Sequence, residues 1–366
     1  MILATLEIEH FRNLTRVALE CSPGLNLVVG ENASGKTSLL EAIYYLGRAR
    51  SFRSASLREL IQHGAEALRI TATLQQPGRQ RRIRLGLQRS PRETVARLDG
   101  RPLVSLAELA EALPLLLLNP DSHRLLEEGP RQRRRFLDWG LFHAEPGFLE
   151  VWRRYTVALR HRNAALRQGA AERVVAAWDG ELAAAALQLD PLRQNFCRTL
   201  EDELRPLLAQ LLGPLELSLD YRRGWGAEFS DLRAALHHGR EQDRRYGHTR
   251  LGPHRADFEV RLDGRPVTVQ LSRGQQKLLV AALVLAQARL YQRHRGQPCV
   301  LLIDDLPAEL DPRHRARIMT TLAEMDCQLF VTALEDGLLD AAPWREVRLF
   351  HIRQGVIRDA TIFDRL

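Results

Sequence analysis

The sequence predicts an α/β fold, a mixed β-sheet with helices, interrupted by an inserted and mostly helical arm. Three observations predict it. Residues 25–46 read strand, glycine-rich loop, helix. The run Cys299-Val300-Leu301-Leu302-Ile303 reads as a buried strand and ends in two aspartates. Between them, over 119–215, the chain is dominated by Ala, Leu, Arg, Glu and Gln, all strong helix formers. The expected layout is a lobe begun by 1–118, an arm at 119–215 and the lobe completed by 216–366. A length of 366 residues suits two domains, or one domain with an insertion.

In chain order, alternating apolar and polar residues predict strands near 2–9 and 15–21, a third strand at 25–29, and a helix from about Lys36 to Leu46. Residues 68–104 are again β-like, with a hairpin turn in Leu98-Asp99-Gly100-Arg101-Pro102. The same five residues recur at Leu262-Asp263-Gly264-Arg265-Pro266. Asp-Gly suits the positive φ values of a tight hairpin, so the recurrence reads as shared turn chemistry and not as a duplicated domain. Pro114 to Leu118 is an apolar strand. In the arm, Trp152, Tyr155, Leu159 and Leu166 recur at helical spacing and are expected to face a core, with Arg153, Arg160 and Arg167 on a neighbouring stripe. The sustained heptads of a long coiled coil are absent. A strand near 216–222, a helix around 230–245, the second Asp-Gly hairpin and a long helix from Ser272 follow. The 299–303 strand, a helix near 312–325 and a strand at 327–332 then continue the α/β pattern.

Composition narrows the function classes. With 45% apolar residues the chain can bury a core, which excludes a disordered protein. The net charge of +8 points to a polyanionic partner, nucleic acid or an anionic membrane surface, although arginines spread over the whole surface would give the same sum. Cys21, Cys197, Cys299 and Cys327 show no C-x-x-C spacing, so free thiols in a reducing cytosol are expected. The N-terminus reads as a strand and lacks the charged start and apolar core of a signal peptide. No apolar run approaches the roughly 18 residues that span a bilayer, and Leu278–Leu290 reads as a buried helix. A cytoplasmic protein without a membrane segment is expected.

Only two of the 53 basic side chains are lysine, Lys36 and Lys277. A lysine kept where arginine is otherwise universal marks a place that suits a compact ammonium. Lys36 lies in Gly30-Glu31-Asn32-Ala33-Ser34-Gly35-Lys36-Thr37, a phosphate-binding loop in its proper strand–loop–helix context. Backbone N–H groups of such a loop curl around the phosphates of a nucleotide, Lys36 reaches between the terminal phosphates, and Thr37 offers its hydroxyl to Mg²⁺. Bound ATP with Mg²⁺ is therefore expected. Asp304 and Asp305 emerge from the C-terminal end of a buried strand, where ligands of open α/β sheets bind. Asp304 suits the Mg²⁺ carboxylate and Asp305 the group that positions or deprotonates an attacking water; a capping aspartate is the plainer alternative. Ser272-Arg273-Gly274-Gln275 opens a helix and, alone, is an ordinary N-cap. Lys277 lies more than a helical turn beyond Ser272, too far to share its phosphate.

Taken with the loop and the paired aspartates, Ser272 to Gln275 resembles the signature sequence of ABC-type ATPases, with Asp311 at the D-loop position. That resemblance implies an ABC-ATPase-type P-loop head in which the signature of one subunit caps the γ-phosphate held by another, hence an ATP-dependent homodimer. Lys36 and Asp304 are 268 residues apart, more than a transporter subunit needs, and Thr332 or Ala333 stands where transporters carry a histidine. The insertion is too short and too poor in heptads for SMC arms. Phe11-Arg12-Asn13-Leu14, Arg134-Arg135-Phe136-Leu137-Asp138-Trp139, Arg162-Asn163-Ala164-Ala165-Leu166, Gly252-Pro253-His254-Arg255 and the motifs above together resemble the RecF family of bacterial recombination mediators over essentially the whole chain. Ala256 and Ala308 depart from that family's usual Asp and Ser. The resemblance implies an ATP-driven dimer of DNA replication and repair that binds single-stranded, gapped or junction DNA. It further implies support of recombinase loading with RecR and RecO, a part in SOS induction, and slow hydrolysis for release. Arg131, Arg133, Arg134 and Arg135 are the densest basic cluster and the candidate DNA contacts, with a solvated helix start as the alternative. His254 and Arg255 stand in a turn entering a strand and have no assigned ligand. A nucleotide-binding subunit of a membrane transporter is the alternative function.

Overall fold

The computed structural model of the chain describes residues 1–78, 81–306, 311–339, 341 and 343–364. They form two compact units: Met1–Ser122 with Gln210–Leu212 and Lys277–Leu366, and His123–Ala209 with Gly213–Gln276.

The first unit opens with β1 (Ile2–Phe11), β2 (Leu14–Glu20), β3 (Leu25–Val29) and α1 (Lys36–Arg48). It continues through α2 (Leu57–Leu60), β4 (Leu68–Gln75), β5 (Arg82–Arg89), β6 (Thr94–Leu98), β7 (Arg101–Pro102), α3 (Ala107–Ala112) and β8 (Leu115–Leu118). One six-stranded sheet, ordered β2-β1-β4-β5-β6-β7, is antiparallel throughout. In β1 the buried Leu6 and Ile8 flank the exposed Glu7, the period-2 pattern of a sheet with one covered face. The expected Asp-Gly turn joins β6 to β7, with Asp99 at φ 50° and Gly100 at φ 80°.

The second unit holds α4 (Arg124–Glu127), α5 (Pro130–Ala144), α6 (Phe148–Arg167), most of α7 (Glu172–Leu212), β9 (Leu217–Arg222), α8 (Leu232–Tyr246), β10 (Asp257–Leu262), β11 (Arg265–Pro266) and α9 (Val267–Gln270). Its sheet, β11-β10-β9, is antiparallel. The expected arm boundary at 215 is therefore corrected: β9 pairs with β10 along its whole length, and this holds the chain in the second unit as far as Gln276. The second Asp-Gly turn, Asp263 and Gly264, belongs to this sheet. The two copies of Leu-Asp-Gly-Arg-Pro thus serve hairpins in different sheets.

In α6 the buried arc runs through Phe148, Tyr155, Ala158, Arg162, Ala165 and Leu166. Trp152, expected in the core, lies past the edge of that arc and is 36% exposed, and Arg153, Arg160 and Arg167 are exposed on the neighbouring stripe. The arc is built around a cation. Arg162 is wholly buried, its Nε donating to Asp179 on α7 at 2.6 Å and its Nη1 to Asp243 on α8 at 2.7 Å and to Thr249 at 2.8 Å. Two carboxylates and a hydroxyl compensate the lost hydration of the guanidinium, so three chain segments are held by one side chain.

Helix α10 (Arg273–Arg295) begins in the second unit and ends in the first. Leu278 to Ala288 are all buried and, apart from Gln287, apolar, as a central helix requires. Then β12 (Val300–Ile303), α11 (Pro312–Ala323), β13 (Gln328–Ala333), β14 (Glu346–Arg353) and β15 (Val356–Asp364) complete the first unit. A second six-stranded sheet runs β15-β14-β3-β13-β12-β8, parallel except for β15. Strands β3, β12 and β13 are buried at every residue, as parallel strands covered on both faces must be. One apolar cluster joins both sheets to α1, from Leu6 and Ile70 through Leu39 and Ile43 to Val300, Phe330 and Phe350. Each fully buried side chain of this kind stabilises the fold by about 1.5–3 kcal/mol. No described helix is long and apolar enough to cross a membrane.

Candidate nucleotide site and basic surface

The sheet order explains how distant residues meet. Strand β13 lies between β3, which feeds the glycine loop, and β12, which ends in Asp304. Its register sets Val331 beside Ile303, so the next residue, Thr332, falls beside Asp304. The Thr332 hydroxyl donates to Asp304 Oδ1 at 2.8 Å and accepts from the Asp305 N–H at 2.7 Å. From the other side the Thr37 hydroxyl donates to Asp304 Oδ1 at 3.1 Å. By sequence Thr332 marks only the place of an absent histidine; in the fold it orients both aspartates.

The loop from Gly30 to Thr37 is shaped by close approaches. Gly30 has φ 159°, and a Cβ there would come within 2.3 Å of the Ile352 carbonyl oxygen. Ala33 (φ 60°) and Gly35 (φ 118°) turn the chain into α1. The buried Lys36 Nζ donates to the carbonyls of Gly30 at 2.6 Å and Glu31 at 2.9 Å, closing the loop on itself. Burial lowers the Lys36 pKa, opposed by Asp305 and then Asp304. Burial raises that of Asp304, opposed by the hydrogen bonds from Thr332 and Thr37.

Three segments brace this loop. Arg12 Nε and Nη2 grip the two oxygens of Glu41 on α1 at 2.5 and 2.7 Å, and Ser51 also donates to Glu41, whose carboxylate is fully buried. The Asn13 amide donates to Ala33 O at 3.4 Å, and the Gly355 N–H of the β14–β15 turn donates to Ser34 O at 2.7 Å. The Phe-Arg-Asn-Leu motif therefore holds the loop from behind, with Phe11 and Leu14 in the core.

Among the described residues, two buried atoms in this site have no hydrogen-bond partner, Ser34 Oγ and Asp305 Oδ1. Asp305 also sits at φ 55°, a conformation that costs a non-glycine residue of order 1–3 kcal/mol. Orphaned polar atoms in a cradle of loop amides, an ammonium and carboxylates fit the terminal phosphates of a nucleotide. The hard oxygen donors Thr37 Oγ1 and Asp304 Oδ1 fit Mg²⁺.

The signature segment lies in the second unit, away in sequence from the loop. Ser272, Arg273, Gly274 and Gln275 are all exposed. The Ser272 N–H donates to Gln275 Oε1 at 2.9 Å and the Gln275 N–H to Ser272 Oγ at 3.3 Å, a reciprocal capping box that fixes the start of α10. Lys277 is half-buried. Asp311 caps α11 by accepting from the N–H groups of Arg313 and His314, both at 3.0 Å. Ala308, Glu309 and Leu310, in the stretch expected to form a D-loop, lie outside the described residues.

The arginine cluster divides. Arg133 is engaged within the fold: Nε and Nη2 bind Asp257 at 2.7 and 3.0 Å, and Nη1 donates to the carbonyls of Leu125, Leu126 and Glu128. Its guanidinium ties α5 to β10. Arg131 and Arg135 are exposed, and Arg134 is partly so. His254 is a structural residue, accepting at Nδ1 from the Tyr155 hydroxyl at 2.6 Å and donating from Nε2 to Thr249 O at 3.0 Å. Burial, with Arg255, Arg134 and Arg162 nearby, depresses its pKa to about 4. Among the described residues no cluster of His, Cys, Asp and Glu suits a metal, and all four cysteines are free thiols.

Comparison with known proteins agrees with this geometry. Residues 2–358 match the family model described as the RecF/RecN/SMC N terminal domain. The chain is 43% identical over 358 residues to a DNA replication and repair protein RecF of Thioalkalivibrio sulfidiphilus, covering 98% of this chain and 99% of that one. It is 44% identical over 364 residues to the RecF of Azotobacter vinelandii, covering 98% of each. A solved structure of the recombination mediator protein RecF with ATP, in the RecFOR pathway, superposes with a TM-score of 0.87 at 25% identity, covering 98% of this chain and 97% of that one. An SMC head bound to the C-terminal winged-helix domain of ScpA shares the fold at a TM-score of 0.60 and 16% identity, covering 100% of this chain and 98% of that one. The chain belongs to the RecF family, within the wider group of RecF, RecN and SMC heads.

Proposed function

We infer that this chain is an ATP-switched DNA-binding dimer acting in DNA replication and recombinational repair in the cytoplasm. The Gly30–Thr37 loop would hold ATP, and Thr37 and Asp304 are the residues that would hold Mg²⁺. The observation that carries this reading is the Thr37–Asp304–Thr332 chain beside the unpartnered Asp305 Oδ1. Mg²⁺, when bound, supplies charge neutralisation at the phosphates. The protein's own groups do the rest: Lys36 and the loop amides bind phosphate oxygens, Thr332 fixes both aspartates, and Asp305 orients a water or takes its proton. The exposed Ser272–Gln275 turn of one copy caps the γ-phosphate held by another, with Asp311 in the adjoining D-loop, so ATP joins two copies. Hydrolysis is slow and serves release.

DNA with a single-stranded gap or junction is the ligand of the dimer, and recombinase loading with RecR and RecO, with a part in SOS induction, is its output. The net positive charge and the family's naming support this assignment. The transporter alternative has no observation in its favour, because the family match spans the chain from residue 2 to 358. Lys36→Arg tests the switch. It keeps the charge but replaces a compact ammonium with a planar fork that cannot fit between the Gly30 and Glu31 carbonyls, so ATP-dependent retention of a gapped duplex should fall at least about ten-fold. Retention equal to wild type, with and without ATP, would mean that ATP is not the switch.

A further inference from the structure

A cavity of about 290 Å³ opens at the start of α5, and four arginines line it: Arg131, Arg134, Arg135 and Arg255. The lining holds one carboxylate, Glu128, which is engaged elsewhere by Arg124 at 3.5 Å and by the Gln132 amide at 3.1 Å. Among the described residues neither Arg131 nor Arg255 has an ion-pair partner. Arg134 is anchored by donation from Nη1 to Ala256 O at 2.8 Å. Its pKa is lowered by burial and by Arg193, with Asp257 and Asp138 opposing and Arg255 adding to the repulsion. Guanidinium groups gathered in this way repel one another unless an anion lies between them.

The backbone adds to the field. Helix α5 runs 15 residues from Pro130, and its N-cap, Gly129, offers no side-chain bond to the first turn. The positive end of the helix therefore faces the cavity without a capping carboxylate or hydroxyl. Arg133, the neighbour that does not line this cavity, ties its two walls: its double bond to Asp257 joins α5 to β10, and β10 follows directly on Arg255 and Ala256.

We propose that this cavity is a seat for a backbone phosphate of nucleic acid, held by Arg131, Arg134, Arg135 and Arg255 at the start of α5. It rests on the DNA-binding reading above and sharpens it, adding Arg255 to the contacts and removing Arg133. Arginines around a helix N-terminus recognise a phosphodiester without reading bases, so the seat contributes affinity and register but no sequence preference. Abolishing one phosphate ion pair lowers the slope of log affinity against log salt by about 0.7 for single strands and about 0.9 for duplex.

The test is a salt titration of a fluorescein-labelled gapped duplex against the full chain with ATP and Mg²⁺. Arg131→Gln with Arg255→Gln is compared with Arg58→Gln with Arg92→Gln, which removes the same charge from exposed positions in the first unit. The cavity pair should lower the slope by about one phosphate and weaken binding equally across sequences, with ATP affinity unchanged, while the control pair keeps the wild-type slope. A cavity pair with the wild-type slope overturns the proposal alone, as does an equal loss in both pairs. A wild-type chain with no salt-dependent DNA binding overturns the DNA-binding reading and the proposal together.

Discussion

Replacing Thr332 by valine removes one hydroxyl that serves two aspartates at once. The Asp304 carboxylate loses a buried 2.8 Å hydrogen bond, and the Asp305 N–H, bonded at 2.7 Å, is left without an acceptor. A hydrogen bond to a charged group is worth about 1.5–3 kcal/mol, and a buried donor left unsatisfied costs about 1–3 kcal/mol. Because the two share one side chain, their sum is not additive, and a total near 2–4 kcal/mol is the working figure. Volume is nearly conserved, so a packing defect contributes little. Urea unfolding should show this loss with the m-value unchanged, and Thr332→Ser should restore most of it. Losing a bond that stabilises the carboxylate also raises the Asp304 pKa further, so ATP binding should need more Mg²⁺ in the valine variant than in the serine variant. Equal Mg²⁺ dependence and equal stability in wild type and Thr332→Val would refute the role given to this residue.

The second unit should lose stability in acid through His254, whose pKa falls from an ordinary 6.5 to about 4 in the fold. The depressed value means that the unfolded chain binds the extra proton, so this stability is complete above about pH 6.5 and is lost as pH falls toward 4. The shift corresponds to about 3 kcal/mol, and His254→Gln should flatten unfolding profiles between those limits; an unchanged profile would contradict it. Arg162→Leu leaves Asp179 and Asp243 buried without their cation and should cost about 3–5 kcal/mol in denaturant unfolding. A loss below about 1 kcal/mol would show that the two carboxylates find other partners.

The parts of this fold that depend on local chemistry are legible in the sequence. Gly30 to Thr37 between a strand and a helix, Asp304 after a buried apolar run, and the Asp99 and Asp263 turns each carry their own signal within a few residues. Thr332 is different: it matters because β13 lies between β3 and β12, a sheet order that no local pattern encodes. Glu41 carries no signal either, since a carboxylate at a helical position normally faces water and this one is buried against Arg12 and Ser51. Arg162 interrupts the apolar period of α6 for the same reason. Helix-forming composition ends near 215, whereas the second unit ends only after β9 and β10 have paired, which composition does not reveal. The β14–β15 hairpin lies beyond the expected strands, which stop at 332, although alternation over 346–353 and a Gln354-Gly355 turn make it readable. Its hydrogen bond to Ser34 depends on the fold alone.

Sedimentation velocity of the full chain, with and without ATP and Mg²⁺, tests the central claim most directly. The composite site made from the loop of one copy and the signature of another predicts a monomer without nucleotide and a dimer with ATP. Asp305→Asn should keep the dimer and slow its decay, since ATP still binds while water activation is lost. A chain that stays monomeric with ATP at concentrations well above micromolar would contradict the account, and so would an Asp305→Asn dimer that decays as fast as wild type.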